Sequence, residues 1–169
     1  MSGTMMQAVQ RVQHQTDRLA LLAAPLALLG MRLALAIPFY RSGATKWDGF
    51  LQLSPSATYL FTEEFRLHFF WGTVAYPAPA LMAFLAGIGE IVLPVLLVLG
   101  LLTRFSALGI LAMTIIIQLT IPDGLINFHL PWAAMALALL AYGGGSLSAD
   151  RLVSRLALPK MPTGASTSP

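Results

Sequence analysis

The chain of 169 residues contains no cysteine and only a few charged side chains. Without cysteine it can form no disulfide, thiolate nucleophile, iron–sulfur cluster or thiolate metal site. Charged residues make up 10% of the chain and hydrophobic residues 57%, whereas a soluble domain carries about 25% charged residues. This balance is typical of an integral membrane protein. The ten lysines and arginines are scattered and do not interleave with aromatics, so we expect no nucleic-acid partner.

Four apolar segments lie at residues 19–40, 78–102, 105–121 and 130–143. About 20 apolar residues cross a bilayer as a helix that rises about 1.5 Å per residue. We therefore predict an all-α fold, a polytopic membrane four-helix bundle over residues 19–145. The first segment is long and is split by Arg32, unlike the uncharged core of a signal peptide, so we interpret it as a retained span.

The segments outside the spans differ from them in composition. We predict a cytoplasmic N-terminal arm at 1–18, an outer loop at 41–77, a short cytoplasmic amphipathic helix at 146–158 and a disordered tail at 159–169. In the outer loop, Ser54 followed by Pro55 predicts the start of an interfacial helix. Aromatic residues that favour the membrane surface accompany this helix, namely Phe69, Phe70, Trp71 and Tyr76.

Basic residues are distributed unequally between the two sets of connections. Six lie in the N-terminal arm, the turn between the second and third spans and the C-terminal segment, namely Arg11, Arg18, Arg104, Arg151, Arg155 and Lys160. Three lie in the first loop, namely Arg41, Lys46 and Arg66. Because basic residues concentrate on the cytoplasmic side, we expect both termini in the cytoplasm.

Two charged residues, Arg32 and Glu90, interrupt apolar spans and form the predicted polar core. Counted along their segments, both lie near the membrane midplane, where an isolated charge is strongly unfavourable. We therefore expect Arg32 and Glu90 to pair. Two interpretations stay open: a staple that fixes the register of two helices, or a polar site for a proton, a quinone head group or a small polar ligand.

Three further residues are candidates for binding a ligand or a quinone. Lys46 precedes Trp47, and this pair is typical of an anchor at the membrane surface, although Lys46 could reach back to Glu90 or to an anionic ligand. His129 and Trp132 open the last predicted span on the outer side. An imidazole at this position serves either as a helix cap at the interface or as a hydrogen-bond donor to a quinone carbonyl.

No motif assigns a catalytic residue. The chain has no Ser-His-Asp order, no HExxH sequence and no phosphate-binding loop. His68 could join His129 as a second metal ligand on the outer face, but nothing in the sequence places the two side by side, so we predict no metal site.

Several of these residues recur in motifs that resemble the DoxX family of small bacterial membrane proteins. The resemblance rests on Arg32 followed by SGxxK at Ser42–Lys46, and on EIVLPVLLVLGLLTR from Glu90 to Arg104. Further matches are Glu64-Phe65-Arg66, Pro122 with HxxW from His129 to Trp132, and the closing GGGSLSADRL of residues 143–152. It covers about residues 28 to 153. Residues 68–78 depart from the family, which usually has a shorter, proline-rich step here.

The resemblance implies a four-helix bundle in the bacterial inner membrane. The family took its name from a small subunit associated with a quinol oxidase or thiosulfate:quinone oxidoreductase of archaea. Other members are linked to oxidative and thiol stress, and some to gene clusters that handle metals or modified peptides.

From the residues and the resemblance together, we expect a non-autonomous subunit that supports a quinone-linked or stress-related redox partner. The expected partners are the lipid bilayer, a redox protein and further copies of the chain. No cofactor is expected to be intrinsic, and the expected ligand is a bound quinone. The alternatives are a transporter for a small solute or proton, and a purely structural membrane anchor or assembly factor.

Overall fold

The computed structural model describes residues 3–157, and its helices form one antiparallel bundle. Within this range, four helical segments are long and apolar enough to cross a membrane, namely Met5–Ala44, Pro79–Leu99, Thr103–Thr120 and Pro122–Tyr142. The prediction of an all-α polytopic fold is confirmed. The tail predicted to be disordered at 159–169 lies outside the described residues.

The helices are α1 (Gly3–Ala44), α2 (Pro55–Tyr59), α3 (Pro79–Leu99), α4 (Thr103–Thr120), α5 (Leu130–Tyr142) and α6 (Ala149–Ala157). A single hairpin consists of the strands β1 (Arg66–Phe69) and β2 (Gly72–Ala75). We call the end of the bundle where α3 begins and α4 ends the hairpin end. The opposite end, where α3 ends and α4 begins, is the α6 end.

Two helices are longer than the apolar runs that predicted them. Residues of the predicted N-terminal arm and of the first span form one continuous helix, α1. The last span was predicted to begin at residue 130, but a 3-10 turn (Pro122–Gly124) and a π-helical turn (Leu125–His129) lead directly into α5. The helical segment therefore begins at Pro122, and His129 lies inside it.

Glycines set the distance and the axial level at which α1 packs on α3. A Cβ atom on Gly43 would lie 2.8 Å from the Cβ of Glu90 and 2.9 Å from its carbonyl oxygen. A Cβ atom on Gly87 would lie 2.6 Å from the Trp47 ring. The end of α1 is therefore level with the middle of α3, eleven residues from its start at Pro79.

The core between the helices is apolar. It consists of side chains from α1, α3, α4 and α5 that are at most 2% exposed, namely Leu35, Ala36, Phe39, Leu97, Ala107, Ile110, Ala136 and Leu139.

The first loop covers the half of α3 that α1 leaves bare. Ser54 caps α2 by accepting a hydrogen bond from the N–H of Ala57 at 3.2 Å, and a π-helical turn (Leu60–Glu64) continues α2. Phe61 of this turn is buried in a cluster with Tyr76 and Ala83. The helix predicted at Ser54 thus begins there, but it ends at Glu64 and packs on α3.

Residues 66–75, which follow this helix, form an antiparallel hairpin that the sequence analysis did not predict. Its two-residue tip, Phe70 and Trp71, is exposed. A hydrogen bond of 3.0 Å joins His68 Nδ1 to the carbonyl of Leu119 near the end of α4. The predicted aromatic anchors Phe69, Phe70 and Trp71 therefore lie on a hairpin fixed to α4 and not on an interfacial helix.

The close approach at Gly43 can be tested by comparison with Gly30, a second glycine of α1. Gly43→Ala places a methyl group against the backbone of Glu90, which cannot yield, and we expect the unfolding free energy to fall by about 1–3 kcal/mol. Gly30 has no atom within 4 Å of an added Cβ, so Gly30→Ala should be neutral or stabilising by up to about 1 kcal/mol. The measurement is unfolding in detergent, and equal effects of the two substitutions would contradict the packing.

Candidate functional site

Arg32 is the most buried charged residue in the described range, with 1% of its surface exposed. Its guanidinium donates to four backbone carbonyls: Leu97 (2.7 Å), Val98 (2.6 Å), Gly144 (3.2 Å) and Leu147 (2.7 Å). Two of them belong to the last turn of α3, where the helix dipole is negative, and the carbonyl of Leu97 also accepts the N–H of Gly100 at 3.0 Å. The other two lie between α5 and α6. Arg32 therefore ties three segments together at the α6 end.

The predicted pair of Arg32 with Glu90 is wrong, and the reason is the axial level of α1. Gly43 lies opposite Glu90, and Arg32 precedes Gly43 by eleven residues in α1. Arg32 therefore lies about 16 Å from the level of Glu90, towards the α6 end. The prediction assumes that the apolar runs 19–40 and 78–102 begin and end at the same membrane surfaces, and on that assumption Arg32 and Glu90 lie at one depth. The structure instead aligns the helices through glycine contacts and through the carbonyls that Arg32 binds.

Glu90 pairs with Lys46. The Nζ of Lys46 lies 2.5 Å from Oε2 of Glu90, and these side chains are 12% and 6% exposed. Lys46 also donates to the hydroxyl of Ser42 at 3.1 Å. The alternative in which Lys46 reaches back to Glu90 is thus the one the structure shows, because the chain turns directly after Ala44 and brings Lys46 over α3.

Pro94 gives the same place a second polar group. Proline has no N–H, so the carbonyl of Glu90, four residues earlier, loses its helical hydrogen bond. That carbonyl faces Gly43, whose missing side chain lets the two backbones approach. The middle of α3 thus presents both a carboxylate and an unpaired helical carbonyl to α1.

An apolar groove of about 490 Å³ lies between α1 and α3, one turn from this ion pair. Two lining residues are close to the contact of Gly43 with Glu90. Pro94 is one helical turn from Glu90 on α3, and Tyr40 is one helical turn from Gly43 on α1. The remaining lining residues are Ala36, Ile37, Arg41, Val95, Val98 and Leu99. Tyr40 and Arg41 bring hydrogen-bond donors to an otherwise apolar wall.

His129 and Trp132 lie elsewhere in the bundle. The Nδ1 of His129 is 2.6 Å from Oε1 of Gln118, and Gln118 Nε2 donates to the carbonyl of Pro122 at 3.1 Å. Since Oε1 accepts, Nδ1 carries the proton. The imidazole is 5% exposed and packs on Gly124, where an added Cβ would lie 2.5 Å from the ring.

Trp132 packs beside this imidazole, with ring centroids 5.5 Å apart, and also on Phe39 at 5.1 Å. Within residues 3–157, no hydrogen bond or ion pair links His129 or Trp132 to Lys46 or Glu90. The structure therefore does not bring Lys46, His129 and Trp132, the three candidate ligand residues, into one site. The π-helical turn that buries His129 gave no clear signal in the sequence.

Metal coordination has no support in the described part of the chain, where no three His, Cys, Asp or Glu side chains form a group that could hold an ion. His68 contacts Leu119 on α4, whereas His129 contacts Gln118 from within the bundle.

Asp150 belongs to the closing GGGSLSADRL motif, to which the sequence assigns no role, and in the structure its role is to cap a helix. Its two carboxylate oxygens accept the N–H groups of Leu102 (2.7 Å) and Thr103 (2.9 Å), and they so cap α4. Burial alone would raise the pKa of Asp150, but the hydrogen bonds from Thr103 and Leu102 and the charge of Arg32 outweigh it and hold the pKa below its usual value.

Comparison with known proteins gave one match. The family model described as DoxX matches residues 27–123, more than half of the chain. This part includes Arg32, Lys46 and Glu90 and ends before His129. No curated protein and no solved structure matches the chain.

Arg32→Lys should destabilise the bundle. Lysine carries its donors on a single atom, so it cannot bind two carbonyls of α3 and two carbonyls of the turn between α5 and α6 at once. The loss of two charge-assisted hydrogen bonds should lower the unfolding free energy by about 3 kcal/mol or more. Unfolding in detergent measures this, with Arg18→Lys on the exposed part of α1 as the control. If the two variants were equally stable, the hydrogen bonds from Arg32 to the carbonyls would not contribute to the stability of the bundle.

Asp150→Asn should produce a stability loss that depends on pH. Because folding lowers the pKa of Asp150, its charged form stabilises the fold above its ordinary pKa of 3.8, and this contribution is lost as the pH falls below it. We expect the variant to be about 1 kcal/mol less stable at pH 7 and the difference to shrink as the pH falls below 3.8. Unfolding curves of both proteins from pH 3 to 7 measure this, and a constant difference would contradict it.

Proposed function

Because the chain belongs to the DoxX family of membrane proteins, we propose that it is a non-autonomous subunit that supports a quinone-linked redox partner. The observation that carries the proposal is the buried Lys46–Glu90 pair, which lies one helical turn from the groove between α1 and α3. A carboxylate that can accept a proton thus adjoins a cleft whose apolar walls suit an isoprenoid quinone.

The lining of the groove supports a quinone as the ligand. Its walls are aliphatic except at Tyr40 and Arg41, and its volume of about 490 Å³ lies within the range of small-molecule sites, about 300–1,000 Å³. The phenol of Tyr40 and the guanidinium of Arg41 can donate to quinone carbonyls. Both helices that form the groove also face lipid, so a membrane-dissolved ligand can enter sideways.

A quinone would supply the two-electron, two-proton couple that the side chains of this protein lack. Glu90 serves as the proton acceptor, since its carboxylate can take a proton when Lys46 moves away. Lys46 pairs with this carboxylate and so leaves no isolated charge inside the bundle. The hydroxyl of Ser42 accepts a hydrogen bond from Lys46 and so keeps Lys46 close to Glu90.

In this proposal the electrons pass to another protein. The redox partner carries the electron acceptor, and this chain, which has no cysteine, supplies the quinone groove and the proton acceptor. In this proposal the protein lies in the bacterial inner membrane with both termini in the cytoplasm, as the excess of basic residues at the α6 end favours.

The roles of the predicted residues change accordingly. Glu90 and Lys46 form the proton site, whereas Arg32 holds the helices at the level that creates the groove. His129 and Trp132 stabilise the contact of α5 with α1 and α4 and do not touch the quinone.

The first test measures the quinone that co-purifies with the tagged protein after gentle extraction from its native membrane. Val95→Phe fills the groove, while Val92→Phe places the same ring on an exposed position of α3 outside it. We expect Val95→Phe to lower the quinone content about tenfold, as a steric cost of about 1.4 kcal/mol requires. Val92→Phe should retain it. Absence of quinone from the wild-type protein, or equal quinone content in both variants, would refute the proposal that the groove binds a quinone.

The second test separates proton transfer from binding. Glu90→Gln keeps the shape of the side chain but cannot take up a proton, so we expect normal quinone content and slower quinol-dependent oxygen consumption by the membranes. Glu64→Gln, an exposed acid of the first loop, is the control. If membranes with Glu90→Gln respired as fast as those with Glu64→Gln, Glu90 would have no part in proton transfer.

A further inference from the structure

A second concave site lies at the opposite end of the bundle from the hairpin. It is an open cleft of about 850 Å³, bounded by residues 21–28 of α1, the start of α4, the glycine turn 143–145 and one face of α6. It shares no residue with the groove of about 490 Å³. Its polar and apolar parts are segregated, and this segregation identifies the class of ligand.

The polar part is cationic. Arg104 and Arg151 line the cleft and are exposed to it. Arg104 donates one N–H to the carbonyl of Ala141 at 3.1 Å, which leaves its other donors available, and the side chain of Arg151 has no hydrogen bond or ion pair within the described residues. Guanidinium groups bind phosphate through paired N–H donors.

The single acid of the cleft does not cancel these charges. Both oxygens of Asp150 are engaged by the N–H groups of Leu102 and Thr103, and Arg32 lies close enough to lower its pKa. Two exposed guanidinium groups, those of Arg104 and Arg151, thus line the cleft with a single carboxylate, and the buried Arg32 adds a third positive charge near that carboxylate. The electrostatic potential of the cleft favours an anion.

The apolar part lies directly beside the arginines. Leu21, Pro25 and Leu28 of α1 form one wall, and Leu102 and Phe105 form another. Leu21, Leu102 and Phe105 are 75%, 57% and 64% exposed. A soluble phosphate compound would leave this hydrocarbon surface uncovered, whereas an acyl chain would cover it.

The neighbouring helix α6 places the cleft at the membrane surface. Its apolar residues Leu152, Val153 and Leu156 are exposed and alternate along the helix with Arg151 and Arg155. A helix with this pattern lies in the plane of the membrane interface.

We propose that this cleft binds an anionic phospholipid. The phosphate lies between Arg104 and Arg151, and an acyl chain runs between the wall of Leu28 and the wall of Phe105. Under the orientation proposed above, the lipid comes from the cytoplasmic leaflet, whose surface is negative.

The test uses the full-length protein, purified in detergent and freed of lipid. Native mass spectrometry counts the molecules bound during titration with phosphatidylglycerol, with phosphatidylcholine of the same acyl chains, or with inorganic phosphate. We expect one phosphatidylglycerol per chain, weaker binding of phosphatidylcholine and no retained phosphate. Arg104→Gln and Arg151→Gln should each weaken phosphatidylglycerol binding about tenfold, the loss that corresponds to about 1.4 kcal/mol.

Arg155→Gln is the matched control, because Arg155 lies on α6 but not in the cleft. Within residues 3–157 the side chain of Arg151 makes no hydrogen bond, so Arg151→Gln should leave the unfolding curve unchanged, and that curve separates a binding loss from destabilisation. Equal affinity for both lipids, or equal loss in Arg155→Gln and Arg151→Gln, would overturn the proposal. Retention of phosphate alone would make the cleft a site for soluble phosphates, and a second copy of the chain bound instead of lipid would make it an oligomer interface.

Discussion

The four hydrogen bonds from Arg32 to backbone carbonyls set the level at which α1 lies in the bundle. These carbonyls are fixed in α3 and in the turn after α5, so the guanidinium can bind them at one axial position only. At that position Gly43 meets Glu90 and the chain turns at mid-depth. Lys46 then reaches Glu90, and the groove forms beside the pair.

The architecture was predictable because apolar run length reports membrane spans directly. Four runs predicted four spanning helices, and the two largest displacements of an end lie at the start of α1 and before α5, where further helical turns precede the apolar run. The two intramembrane charges were also correctly identified as unusual. Their partners were not, because run lengths give the depth of a residue only if the runs start at the same level. In this protein, glycine contacts displace α1 by about half the length of α3.

Lys46 and the hairpin show two further limits of the sequence. An interfacial lysine and one that turns back into the bundle share the same local pattern, and only the position of Ala44 relative to Glu90 distinguishes them. The hairpin has four-residue strands, too short for a clear alternation of polar and apolar residues. Its stability comes from contacts with α4, such as that of His68 with Leu119, which no local pattern records.

The tie at Arg32 also constrains the order in which the protein is made. Leu147, its last acceptor, is synthesised 115 residues after Arg32. At about 5–20 residues per second, this interval lasts about 6–23 s. Leu97 and Val98 are made 65 and 66 residues after Arg32, whereas Gly144 follows it by 112 residues, so the guanidinium acquires its acceptors in two steps. The full set of hydrogen bonds at Arg32 can therefore form only after the last span and the turn that follows it have been made.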